Sequence, residues 1–140
     1  MSTQATKKPF GVPWETDPFV TPWPEMRPFW AAAAEGRFLM PRCGDCGKYH
    51  WHPRAVCPFC HSRKIEWIES PGRGTIFSFS IARTWSPPHA IAFVKTAEEP
   101  VILTQLVDCD FDALRIELPV KVKLAPVEAG RWMPFFAPER

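Results

Sequence analysis

Residues 42–61 read RCGDCGKYHWHPRAVCPFCH and hold four of the chain's five cysteines and three of its four histidines. A structural zinc, a c-type haem, a disulfide framework and a reactive dithiol each use some part of such a stretch. Cys43/Cys46 and Cys57/Cys60 are two Cys-x-x-Cys pairs separated by ten residues. Each pair places two thiolates on one side of a tight turn, and two such knuckles together make a closed, tetrahedral four-sulfur site. Gly44 and Gly47 give the first turn its backbone freedom, and Pro58 restricts the second. Four sulfur ligands leave no open position for water or substrate, so the expected metal is one structural zinc per chain. His50, His52 and His61 are then spare, and read as half-exposed residues on the strands of a ribbon.

The remaining chemistries fail on context. The N-terminal MSTQATKKPF carries two lysines with no apolar run behind them, and nowhere are there about 20 consecutive apolar residues, so a cytoplasmic, soluble protein with no membrane span is expected. Thiols are kept reduced there, which removes the disulfide framework. Cys57-Pro58-Phe59-Cys60-His61 fits a haem-attachment pattern, but that attachment follows export and would leave Cys43 and Cys46 without a role. A redox pair would open a helix in a βαβ unit, and no helical pattern follows either pair. Zinc remains, and a chain of 140 residues with limited core is where a metal staple is expected.

Around the cysteines, residues 1–24 are rich in Pro and aromatics (Phe10, Trp14, Phe19, Trp23), a composition that lies extended on another surface. Pro28 suits a first helical turn, Phe29/Ala33 and Trp30/Ala34 recur at helical spacing, and Gly36 supplies a stop; a short helix over roughly 27–35 follows. After the knuckles, IEWIES alternates up to a turn at Pro71-Gly72-Arg73-Gly74. TIFSFSIART, AIAFVK, VILTQLVD, PVKVKLA and RWMPFF then read as five strands without intervening helices, the pattern of a small closed barrel. The chain is therefore read as mainly β, with an arm and docking helix (1–36), a zinc ribbon (37–68) and a barrel with a C-terminal tail (69–140).

The order of these pieces resembles the DUF35 family over roughly residues 27–125: Phe29-Trp30, Arg42-Cys43-x-x-Cys46-Gly47, Pro53-Arg54-x-x-Cys57-Pro58-x-Cys60, Gly72-x-Gly74-Thr75-x-x-Ser78-Phe79 and Leu106-Val107-Asp108-Cys109-Asp110. The resemblance implies a rubredoxin-like zinc ribbon and an OB-fold barrel. It also implies a non-catalytic accessory role in a hetero-oligomer with a thiolase-like catalytic subunit or, in some relatives, a hot-dog-fold enoyl-CoA hydratase, with a CoA thioester at the shared interface. Where family members often read Leu-Arg-Ile-Gly before the Pro-Val strand, this chain has Leu114-Arg115-Ile116-Glu117, so a reshaped turn is expected there.

The residues offer little chemistry of their own. Cys109 lies between Asp108 and Asp110, whose negative charge disfavours a thiolate, and it is read as a packing residue. His89 belongs to the inter-strand loop Ser86-Pro87-Pro88-His89, and Asp110, Asp112 and Glu117 read as solvated turn residues. Trp14, Trp23, Phe29 and Trp30 fall outside the barrel pattern and are candidate partner anchors. Arg54, Arg73 and Arg83 are candidates for the phosphates of a CoA. A single-strand nucleic-acid module is the competing class, since zinc ribbons and OB barrels both occur in such proteins. With 17 basic against 15 acidic residues and a net charge of +2, the chain lacks the bias that class needs.

Overall fold

The computed structural model describes residues 11–139. Two compact units share them: the chain up to Ser70 together with Leu124–Pro134, and Pro71–Lys123 together with the chain from Phe135.

In the first unit the described part of the arm, from residue 11 on, runs largely in turns. A 3₁₀ turn at Trp14–Thr16 is followed by hydrogen bonds from the N–H groups of Val20 and Thr21 to the Asp17 carbonyl, at 2.8 and 3.1 Å. Its prolines stand at the starts of turns: Pro13 is extended, at φ −66° and ψ 137°, and leads into the first, while Pro24 begins the second. Residues 1–10 of the arm, with Pro9 and Phe10, lie outside the described residues. Asp17 is fully buried, and its carboxylate accepts from the Phe19 N–H (2.8 Å), the Arg131 N–H (3.1 Å) and the Arg131 guanidinium (3.0 Å). Burial raises this carboxyl's pKa, but those donors outweigh it and hold the group below its ordinary range. Arg131 also lies 4.5 Å over the Phe19 ring. At Gly130, φ is +121° and a Cβ would stand 2.6 Å from the Pro13 carbonyl oxygen, so only glycine lets this turn meet the arm.

A second 3₁₀ turn, Pro24–Met26, leads into α1, Arg27–Ala34, with Pro28 in its first turn. The helix ends as its sequence promises. Gly36 takes a positive φ, its N–H bonds the Ala33 carbonyl, and the Arg37 N–H bonds that of Ala32, satisfying two orphan carbonyls in a Schellman arrangement. The helix buries Phe29, Trp30, Ala32 and Ala33. Phe29 makes edge contacts with Trp30, Phe38 and Trp51, at centroid distances of 4.9, 5.9 and 5.3 Å. Strand β1, Phe38–Cys43, pairs antiparallel with β2, Ile65–Ser70, from Phe38↔Ser70 to Cys43↔Ile65. Pro41 is tolerated because this sheet has two strands, and its carbonyl accepts from the His50 N–H.

The strands that follow close into a five-stranded barrel: β3 (Arg73–Ala82), β4 (His89–Thr96), β5 (Val101–Leu106), β6 (Pro119–Pro126) and β7 (Trp132–Pro138), in the order β3-β4-β5-β7-β6, with the second unit holding β3 to β5, β6 up to Lys123 and β7 from Phe135. The expected turn at 71–74 is shorter than read, since β3 already begins at Arg73. Gly74 is a strand residue, and a Cβ there would stand 2.6 Å from the Lys95 carbonyl oxygen of β4. Alternation places Ala90, Ala92, Val94, Ile102 and Leu106 in the interior with Ile76, Val120 and Phe136. A bulge between Ile76 and Ser78 bends β3 around the closure. In the turn before β6, Glu117 adopts φ +70°, a conformation that favours glycine, and its N–H bonds the Ile76 carbonyl at 2.8 Å. Among the described residues no helix is long and apolar enough to cross a membrane.

Candidate metal centre

β1 delivers Cys43 as its last residue, and the tight turn that follows carries Cys46. The second knuckle hangs in the connection before β2 and brings Cys57 and Cys60 opposite. The Cys43–Cys60 sulfurs lie 3.5 Å apart and the Cys46–Cys57 sulfurs 3.7 Å, with all four within 4.8 Å of one another. Zinc–sulfur bonds of about 2.3 Å at tetrahedral angles put sulfurs about 3.8 Å apart, whereas a disulfide needs about 2.0 Å. The cage thus fits a zinc ion and excludes either cross-knuckle disulfide.

The backbone is already turned toward anionic sulfur. The N–H groups of Asp45 and Cys46 point at the Cys43 sulfur (3.3 and 3.4 Å), and that of Phe59 at the Cys57 sulfur (3.4 Å). Cys43 is brought down to about 6, chiefly by the Cys46 N–H. Cys60 goes to about 12: the Ser62 N–H lowers it, but Cys43 and the other crowded thiols prevail. A cation among the four sulfurs relieves that crowding, and a closed four-thiolate shell supplies stability, not reactivity. Ser62 of the second knuckle donates to Asp45 of the first, and Lys64 pairs with the same carboxylate at 3.7 Å, joining the two loops outside the sulfurs.

The spare histidines divide. His52 and His61 are exposed. His50 is not half-exposed as expected but buried, with neither ring nitrogen hydrogen-bonded among the described residues. Burial and then the Arg54 charge push its pKa down, so it sits as a neutral imidazole. The sequence pattern gave no sign of this, because His50 follows the short bridge of Tyr49 with Arg42 and is covered by tertiary packing.

Other expected residues fall as follows. Cys109 is raised, first by burial and then by Asp108 and Asp110, which opposes a nucleophilic role. Asp110 is no idle turn residue, since its carboxylate caps the short 3₁₀ turn Phe111–Ala113 by accepting from the Asp112 N–H. His89 opens β4 with its ring edge-on to Trp85, at 5.4 Å. Among the expected anchors, Phe29 is 0% and Trp30 7% exposed. These two are core residues, consumed by the cluster with Phe38 and Trp51, and are not available to a partner. Trp14 is half-buried under Arg27 at 5.0 Å, and Trp23 stays open. Arg73 and Arg83 flank the two ends of the ten-residue β3, roughly 30 Å apart at the usual strand rise, so they cannot grip one phosphate together. Arg73 is paired with Glu139 at 3.3 Å.

Comparison with known proteins now becomes decisive. Residues 30–66 match the family model of the ChsH2 rubredoxin-like zinc ribbon domain, and residues 67–125 that of the ChsH2 C-terminal OB-fold domain. The chain belongs to the DUF35 family. This DUF35 chain is 32% identical over 82 residues to a DUF35 domain-containing scaffold protein of Methanothermobacter thermautotrophicus, covering 54% of itself and 62% of that protein. It is 28% identical over 116 residues to a probable enoyl-CoA hydratase alpha subunit of Thermomonospora curvata, covering 79% of itself but 36% of that protein. Its fold superposes on a chain of the Ltp2-ChsH2(DUF35) aldolase with a TM-score of 0.72 at 25% identity, covering 81% of this chain and 94% of that one. A DUF35-family crystal structure from Sulfolobus solfataricus shares the fold, with a TM-score of 0.59 at 17% identity.

Proposed function

We propose that this DUF35 chain is a non-catalytic accessory subunit of a thiolase-type enzyme acting on acyl-CoA thioesters, and that its barrel borders the acyl path. The scaffold relatives and the aldolase complex support the class. The observation that carries the reading is on the outside of the barrel. Along β4 and β5 the outward positions include the polar His89, Lys95 and Gln105, but between them stand four exposed apolar side chains, Ile91, Phe93, Val101 and Leu103. Phe93 and Leu103 stand directly opposite one another, and Ile91 faces Ser80 of β3. They border a shallow groove of about 140 Å³ with Ser78 and Phe79. An apolar strip of this kind on a small barrel marks an interaction site. Arg83, exposed just past the end of β3 and in no ion pair among the described residues, lies at the Ser80 end of the strip and suits a CoA phosphate better than the already paired Arg73.

The hydratase-like relative favours a second reading, in which the partner is an enoyl-CoA hydratase and the strip serves the same purpose. Co-purification from the native source, with identification of the bound chain, decides between the two. Phe93 and Leu103 are 45% and 62% exposed, so Phe93→Asp with Leu103→Asp should leave zinc content and folding unchanged. The double change should weaken partner binding by about a hundredfold or more, given about 2 kcal/mol per interface anchor. Unchanged affinity in that variant refutes the proposed role of the strip.

A further inference from the structure

A second surface lies wholly within the first unit. A cleft of about 630 Å³ opens between the end of the arm and the loop that leads into the second knuckle. Trp23, Glu25 and Met26 form one wall, and His52, Arg54 and Val56 contribute to the other. Met26 is buried and Trp23 is 54% exposed, so the cleft has an apolar floor with one open indole face. Glu25 and Arg54 are opposite charges in the same cleft, yet neither makes an ion pair among the described residues. Both act on His52, whose exposed ring is partly desolvated at the cleft wall: that desolvation and then the Arg54 charge depress its pKa, and Glu25 raises it.

That charge pattern selects the occupant. A CoA nucleotide brings several phosphates, and Glu25 would oppose them while Arg54 alone attracted them. A protein segment can satisfy both, with a carboxylate for Arg54, a cation for Glu25 and an apolar side chain between them on Trp23 and Met26. An apolar centre inside a charged rim is the anatomy of a protein interface, and Trp and Arg are the residue types most enriched at its hot spots. The site is also built in advance. The Trp23 N–H is held by the Val20 carbonyl at 3.1 Å, the Met26 N–H by the Trp23 carbonyl at 3.0 Å, and the arm upstream by the buried Asp17–Arg131 pair. Little ordering remains to be done on binding.

We infer that this cleft receives a protruding segment of the catalytic subunit, one that carries an exposed apolar side chain flanked by an acidic and a basic residue. The inference rests on the accessory-subunit reading but uses a different unit of the chain from the barrel strip. The test uses the full chain and the purified thiolase-type subunit, with affinity measured by calorimetry at low and physiological salt. Trp23→Ala should weaken association about 30-fold, the loss expected at a hot spot. Arg54→Glu should weaken it about tenfold or more, and Glu25→Lys in the same direction by less. Zinc content and thermal unfolding should match the parent. If Trp23→Ala loses zinc or unfolds, Arg54→Glu alone decides, since that side chain is exposed. Both variants binding within twofold of the parent, while the barrel double variant does not bind, would overturn the cleft and leave the accessory role standing. No binding by the parent chain would remove both. In a parallel titration of free CoA followed by tryptophan fluorescence, a response that Trp23→Ala abolishes without affecting partner binding would give the cleft to a nucleotide and likewise overturn the inference.

Discussion

In the first knuckle the residue after the second cysteine is Gly47 at φ +77°; in the second it is His61 at φ +66°. The backbone hydrogen bonds that frame these two residues match. The Cys43 N–H bonds the Lys48 carbonyl at 2.9 Å and the Cys57 N–H bonds that of Ser62 at 2.8 Å; the Gly47 and His61 N–H groups return to the carbonyls of Cys43 and Cys57, both at 2.9 Å. One backbone is thus built twice, once with the residue that suits a left-handed conformation and once with one that does not. A non-glycine residue there costs about 1–2 kcal/mol, which is small beside the roughly 10–16 kcal/mol that a structural zinc contributes at neutral pH. The difference shows what His61 is. Its place in Cys-x-x-Cys-His is a backbone position held by the fold, and no ligand role attaches to it.

The largest effect that tests this equivalence comes from the ligands. Cys46→Ser and Cys60→Ser, one from each knuckle, should each abolish stoichiometric zinc and cost a large part of that roughly 10–16 kcal/mol. Atomic emission and thermal unfolding measure both quantities, and a clearly smaller loss for either variant would mean that the knuckles do not share one metal. Next in size is Gly47→Ala. A Cβ there meets only the Arg42 guanidinium, at 3.5 Å, so the cost is conformational and should be about 1 kcal/mol by denaturant unfolding of the zinc-loaded protein. The smallest effect has the opposite sign. His61→Gly should stabilise by at most about 1 kcal/mol, because glycine's greater freedom in the unfolded chain offsets part of the relief. A destabilised His61→Gly protein would show that the imidazole makes an interaction of its own, and the comparison would break there.

The knuckles were legible because coordination is written in local spacing: two ligands on one turn, repeated. The α1 boundaries were legible for a similar reason, since Pro28 and Gly36 act within a few residues of themselves. What Phe29 and Trp30 face was not legible. Helical spacing shows that they share the helix with Ala33 and Ala34, but Phe29 is covered by Phe38, Trp51 and Trp67, which arrive from other segments, and Trp30 packs edge-on against Phe29. The barrel strip was hidden for the converse reason. In AIAFVK the bulky Ile91 and Phe93 alternate with Ala90, Ala92 and Val94, so alternation alone does not say which set faces inward, and closure of the barrel assigns the smaller side chains to the interior. Glu117 is a third case: a departure from a familiar glycine does not say what the backbone does, and here the chain puts glutamate itself in the left-handed conformation and bears the strain.

The Asp17–Arg131 pair closes a loop of chain between residues 114 positions apart. During synthesis at about 5–20 residues per second, the arm therefore emerges seconds before the partner that neutralises its buried carboxylate. Until then Asp17 is better hydrated than buried, since a lone ionised carboxylate has no favourable place in an apolar interior. The zinc knuckles, complete by Cys60, can form in that interval, but the arm cannot be sealed against them. The arm's position, and with it that of Trp23, is thus a late report that translation has passed Arg131.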